Sequence, residues 1–137
     1  MIEAGDGAVS FYTGIAYGPV RVGVELLDRP PTGVAQEDWE VVEETTLSAT
    51  QAMVVSALDG TVCTTIDPIP AGTYQVRAHA RGRDTHYGRD VDEIVEDYSI
   101  CLWPNTTRTA DAQVRMLHKT DSAWSSQPQV DRPEPSR

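Results

Sequence analysis

From residue 72 onward the chain alternates small or apolar residues with long polar ones. Tyr74, Val76, Ala78 and Ala80 fall on one side of an extended segment, and Gln75, Arg77, His79 and Arg81 on the other. A side-chain period of two is that of a strand, so the first set is expected to face a core and the second to form an outer polar ridge. Elsewhere, short stretches rich in Val, Thr, Tyr and Ile recur between Gly, Pro and Asp punctuation, and helical periodicity is hard to find. The predicted strands are 8–13, 19–27, 39–47, 51–58, 62–66, 74–81 and 95–103. They describe an all-β domain, an antiparallel, jelly-roll-like β-sandwich.

The connections carry their own chemistry. Asp59-Gly60 supplies the positive φ of a tight hairpin, which predicts antiparallel pairing of 51–58 with 62–66. The proline-rich turns Arg29-Pro-Pro-Thr-Gly33 and Asp67-Pro-Ile-Pro-Ala-Gly72 end strands, because proline lacks an N–H donor. Residues 36–44 fit either an amphipathic helix or the start of a strand; the following Thr45-Thr46-Leu47 favours the strand.

A length of 137 residues suits one domain with a two-layer core. The domain is assigned to 1–118 and a flexible, Pro/Ser-rich C-terminal tail to 119–137. Residues 122–137 hold four Ser and three Pro among few apolar residues, too little burial to offset ordering entropy. Just before the tail, Val114, Met116 and Leu117 are expected to dock a short segment onto the core, with Trp124 closing that contact.

Pairing 74–81 with 95–103 sets a register. With Arg81 opposite Asp97, antiparallel order places His79 opposite Ser99, Arg77 opposite Cys101 and Gln75 opposite Trp103. Tyr98, Ile100 and Leu102 then point inward, and Trp103 reaches diagonally onto Arg77. Such a face is either a binding surface with an aromatic anchor or a salt-bridged, merely soluble sheet surface.

Acidic residues outnumber basic ones 21 to 11, a formal net charge of -10, which argues against direct binding of nucleic acid or an anionic membrane and fits a basic protein partner. No apolar run approaches bilayer-spanning length and the start lacks signal-peptide character, so the expected location is cytoplasmic. Cys63 and Cys101 pair only if the fold brings them together, and the alternative is two thiols of a reducing compartment.

Residues 37–44 carry five carboxylates and no Lys or Arg, and with Asp90, Asp92, Glu93, Glu96 and Asp97 supply nearly half of the acidic residues. Such a field steers a basic partner and imitates a phosphate backbone, the logic of a nuclease inhibitor in which Trp39 fills a pocket; the plainer reading is a solvated charge run. The long 82–94 connection is a second polar concentration. Asp90-Val-Asp92-Glu93 lacks the glycine and terminal glutamate of a calcium loop, and His79, His86 and His118 have no zinc-ligand spacing. No CxxC pair, Gly-x-Ser-x-Gly elbow or phosphate-cradling loop occurs. No metal or cofactor is expected.

Gly72-x-Tyr74-x-Val76-Arg77-Ala-His79-Ala-Arg81-Gly82-Arg83-Asp84, followed by Glu96-Asp-Tyr98-x-Ile-x-Leu102-Trp103-Pro104, resembles a group of small uncharacterised bacterial β-sandwich proteins with a YRVRVHARGRD strand and an EEYLLQLWP strand. Trp39-Glu-Val-Val-Glu43 and Asp59-Gly60 extend the likeness over most of 39–104. Gln75 stands where the group commonly has Arg, and Cys101 where it often has Gln. More distantly the arrangement is similar to the competence-protein J family, whose type member inhibits a DNA-entry nuclease. The resemblance implies a jelly-roll-like sandwich in a bacterial or phage-borne cytoplasmic protein; fold alone does not settle function.

The expectation is therefore a non-enzymatic, acidic protein-binding module of the immunity or nuclease-inhibitor kind, with a nuclease or toxin as its basic partner. Arg77, His79, Arg81 and Trp103 form one face, and Trp39, Glu40, Glu43 and Glu44 another. The alternatives are an accessory subunit of a larger, phage-borne assembly held through strand edges and the tail, and a small hydrolase using His79 and Asp97.

Overall fold

A computed structural model describes residues 1–5, 7–32, 39–105 and 114–121. Among these, every regular element is a strand: β1 (Ile2–Gly5), β2 (Ala8–Phe11), β3 (Arg21–Leu26), β4 (Val41–Ala49), β5 (Gly72–Arg81), β6 (Asp97–Pro104) and β7 (Arg115–Lys119). β1 and β2 form a two-stranded antiparallel sheet, and the other five a sheet in the order β3-β6-β5-β4-β7. No helix of the described residues is long and apolar enough to cross a membrane.

The alternation in β5 does what its period dictates. Val76, Ala78 and Ala80 are buried on one face beside Tyr98, Ile100 and Leu102 of β6, with small Ala80 directly opposite large Tyr98. Met1 and Ile2 close over this core from the small sheet and meet Val41 and Leu47 of β4. Position β4 between β5 and β7 buries both its faces: every residue from 41 to 47 is buried.

Three expectations need correction. β3 runs parallel to β6, so the large sheet is mixed rather than antiparallel; alternation fixes which face of a strand is apolar but is blind to strand direction. The stretches 51–58 and 62–66 are not strands. Gly60 takes a φ of 90° in the expected turn and Ser56 bridges Val62, but pairing then lapses and Met53 exchanges two 2.8 Å backbone hydrogen bonds with Ile69 instead. Val54, Leu58 and Val62 are exposed, and a two-stranded ribbon without an apolar face to cover it is marginal. Finally, the boundary at 118/119 falls inside an ordered element, because β7 includes Lys119 and Asp121 is buried. Trp124 and residues 122–137 lie outside the described residues. β1 was not foreseen: four residues with one strong apolar side chain leave no legible alternation.

Candidate functional site

The β5–β6 register is Arg81↔Asp97, His79↔Ser99, Arg77↔Cys101 and Gln75↔Trp103, as the sequence predicts. On the other side of β5, β4 sets Val42 opposite His79, Glu44 opposite Arg77 and Thr46 opposite Gln75. The ladder continues one step past β4, where Glu40 N–H donates to Ala80 O at 3.0 Å, and this fixes Trp39 beside the Arg81 end of β5.

Two aromatic contacts result. The Arg77 guanidinium lies 5.3 Å from the centre of the Trp103 ring, and that of Arg81 lies 4.8 Å from the centre of Trp39. Trp39 also tilts against His79, with ring centres 5.4 Å apart. Trp39 therefore belongs to the same face as Arg77, His79, Arg81 and Trp103, not to a separate acidic one. It lies outside the regular strand, so period-two reasoning could not assign its side.

This face is largely closed. His79 is 7% exposed and Trp103 5%. Arg77 Nε donates to Glu44 Oε2 at 3.0 Å, while Gln75 Nε2 donates to Glu44 Oε1 at 2.7 Å and Arg115 approaches the same carboxylate at 3.5 Å. Arg81, 48% exposed, shares the Asp97 carboxylate with Arg21 at 3.1 and 3.3 Å. His79 Nδ1 lies 3.0 Å from Ser99 O. A carbonyl only accepts, so Nδ1 carries the proton. Burial, and then the charge of Arg77, hold the His79 pKa below its ordinary value against the opposing pull of that hydrogen bond. The Asp97 carboxylate thus lies between two arginines, and the Nδ1 of His79 is directed to a backbone carbonyl. Cys101, on the same face, has its thiol pKa raised by burial and by Glu25; Cys63 and Cys101 are both free.

The carboxylates assigned to an acidic surface have different fates. Glu43 is fully buried, 3.0 Å from the Met1 ammonium, and also accepts the Ile2 N–H at 3.3 Å. Glu44 is buried under Arg77. Glu40 is half-buried and accepts the Gly82 N–H. None of the three is a freely projecting charge: Glu43 and Glu44 lie on β4, which is interior on both faces, and Glu40, just before it, is held by the Gly82 N–H. No local signal marks this: the partner of Glu43 is 42 residues away.

Glu43 belongs to an interior ionic group that sequence reading missed. Arg83 and Asp121 pair at 3.4 Å with side-chain exposures of 1% and 0%, and Lys119 holds the same Asp121. Glu96, fully buried, accepts Gly14 N–H at 2.9 Å, Ile15 N–H at 2.7 Å and the Tyr98 hydroxyl. Desolvation lowers the pKa of the Met1 ammonium despite Glu43, with Arg83 and Lys119 pushing the same way; burial, then the bond to Glu96, raises that of Tyr98. These contacts tie the N-terminus, the 14–15 segment, the 82–96 connection and β7 together, a fastening role.

Exposed acidic groups are spread over the described residues, with Glu3, Glu25, Asp28, Asp59 and Asp67 on separate segments and four more in the β5–β6 connection. Asp84, Asp90, Asp92 and Glu93 are exposed there, as are Tyr87 and Ile94. A shallow depression of about 340 Å³ is lined by His86, Asp90, Val91, Asp92, Glu93 and Val95. Among the described residues no group of three or more His, Cys, Asp or Glu has the arrangement of a metal site.

No family model, curated protein or solved structure matches the chain. The site stands on its own geometry.

Proposed function

We propose that the protein is a non-enzymatic binding module for a basic protein, of the immunity or nuclease-inhibitor kind, and that its steering surface is the β5–β6 connection. The observation that supports this reading is the exposure of Asp84, Asp90, Asp92 and Glu93 on one connection beside exposed Tyr87 and Ile94. Carboxylates around apolar anchors suit a partner whose own site is built for phosphates: charge accelerates encounter, and the anchors supply buried area. Arg89 is the exposed cation of that connection, and Arg83 is internally neutralised by Asp121. The two ends of the connection are joined by the Arg81–Asp97 pair, with the Trp39 ring packed on Arg81.

The test compares the wild type with the triple variant Asp90→Asn, Asp92→Asn, Glu93→Gln as tagged baits in lysate of the native host, at low and high salt. A basic protein retained at low salt by the wild type and lost by the variant supports the reading. Identical retention by both baits removes it.

A further inference from the structure

β3 is the outer strand of the five-stranded sheet, hydrogen-bonded on one side to β6. Arg21 N–H donates to Glu96 O at 3.1 Å and Leu27 N–H to Leu102 O at 2.7 Å, which fixes the phase of the parallel ladder. Odd-numbered residues turn their backbone groups to β6, so those of Val22, Val24 and Leu26 point to the open edge. Among the described residues no strand pairs there. The inner-face side chains of β3 are also incompletely covered: the small sheet lies over β4, Val22 and Val24 are half-buried, and Leu26 is 50% exposed.

An open edge with an apolar rim is a template for another strand. Its occupant follows from its charges. If a second copy of β3 pairs antiparallel about a two-fold axis through Gly23, Val22 of each chain exchanges hydrogen bonds with Val24 of the other. Arg21 then faces Glu25 of the second copy, twice, at non-hydrogen-bonded positions where side chains come closest. Shifting the axis to Val22 or Val24 leaves Arg21 and Glu25 without each other. A Cβ at Gly23 would meet nothing within 4 Å, so the outer face of the strand is open at that position. Arg21 is 69% exposed and only 3.3 Å from Asp97, and its five N–H donors let it keep that carboxylate while receiving a second.

We infer that the protein self-associates through β3, joining two five-stranded sheets into one continuous ten-stranded sheet with Gly23 on the two-fold axis and reciprocal Arg21–Glu25 pairs. The inference is argued from the β3 edge alone and does not depend on the proposed partner, although Ala16 and Tyr17, just before β3, hydrogen-bond to Arg89 and Val91 of the acidic connection.

Light scattering on size-separated protein tests it with a charge swap. The wild type is expected at twice the monomer mass. Glu25→Arg places two arginines in opposition and Arg21→Glu two glutamates, so each variant alone runs as a monomer, whereas an equimolar mixture returns to dimer mass. Both side chains are exposed, and circular dichroism of each variant checks that the fold is retained. A second measurement uses Gly23→Cys in a Cys63→Ser, Cys101→Ser background. Non-hydrogen-bonded antiparallel positions have Cα atoms about 4.5 Å apart, within disulfide range, so mild oxidation should cross-link the chain to a covalent dimer. A monomeric wild type at high protein concentration overturns the inference. So does a dimer that ignores the charge swap or fails to cross-link at position 23.

Discussion

Arg81 lies with its guanidinium 4.8 Å from the centre of the Trp39 ring, and the same indole tilts against His79. One aromatic side chain from outside the strand thus spans two successive outer positions of β5, keeping water from the imidazole while leaving the cation half in solvent. Removing it by Trp39→Ala should cost about 1–3 kcal/mol, below the full-burial range because Trp39 is only half-buried. Urea unfolding measures this, and the His79 pKa followed by NMR should rise toward its ordinary value. A pKa that does not move would show that Trp39 does not shield the ring.

The environment of His79 makes stability depend on pH in a definite direction. Its pKa is lowered in the folded protein by burial and Arg77, and the unfolded value is about 6.5. As pH falls through that value the unfolded chain takes up a proton that the folded one resists, so stability falls; above it, His79 contributes no further change. Arg77 on β5 reinforces the effect and Ser99 O on β6 opposes it; Arg81 is the neighbouring outer position on β5, and His118 lies beyond Val42 on β7. Urea midpoints measured across this range for the wild type and His79→Gln should differ in slope below about pH 6.5 and run parallel above it. Equal slopes throughout would locate the acid sensitivity elsewhere.

Glu43→Gln should be among the most damaging single-atom-scale changes in the protein. It leaves the Met1 ammonium buried without its counter-charge, and breaking a buried pair from one side costs on the order of 3–5 kcal/mol. Denaturant unfolding gives the number. A loss under about 1 kcal/mol would mean that water reaches the ammonium.

Gly82 ends β5 at a φ of 86°, and a Cβ there would stand 2.1 Å from Val95 O. Gly82→Ala therefore combines an unfavourable backbone conformation with a backbone clash and is expected to destabilise by more than about 1 kcal/mol. Leu58→Ser, at a fully exposed hairpin tip, should stay within about 0.5 kcal/mol of wild type. Thermal melts of the two variants side by side provide the check, and a Leu58 change as large as the Gly82 one would reveal a contact for that tip.

Much of the large sheet is written locally. The alternation from Tyr74 to Arg81 and its counterpart from Asp97 to Trp103 fix two faces, and once Arg81 is placed opposite Asp97 the remaining cross-strand pairs and the Arg77–Trp103 contact follow. These pairs are legible locally because side-chain direction and, once one pair is set, cross-strand neighbours depend only on a period of two. Tertiary structure alone decided that β3 runs parallel to β6, that β4 is buried on both faces, and that Glu43, Arg83, Glu96 and Asp121 turn inward. A charged residue looks the same in sequence whether it meets water or a counter-ion. What distinguishes the two is a partner brought from far along the chain: 42 residues for Glu43, 38 for Arg83 and 82 for Glu96. Such meetings are set by how sheets stack and which strands become edges, and no local period records either.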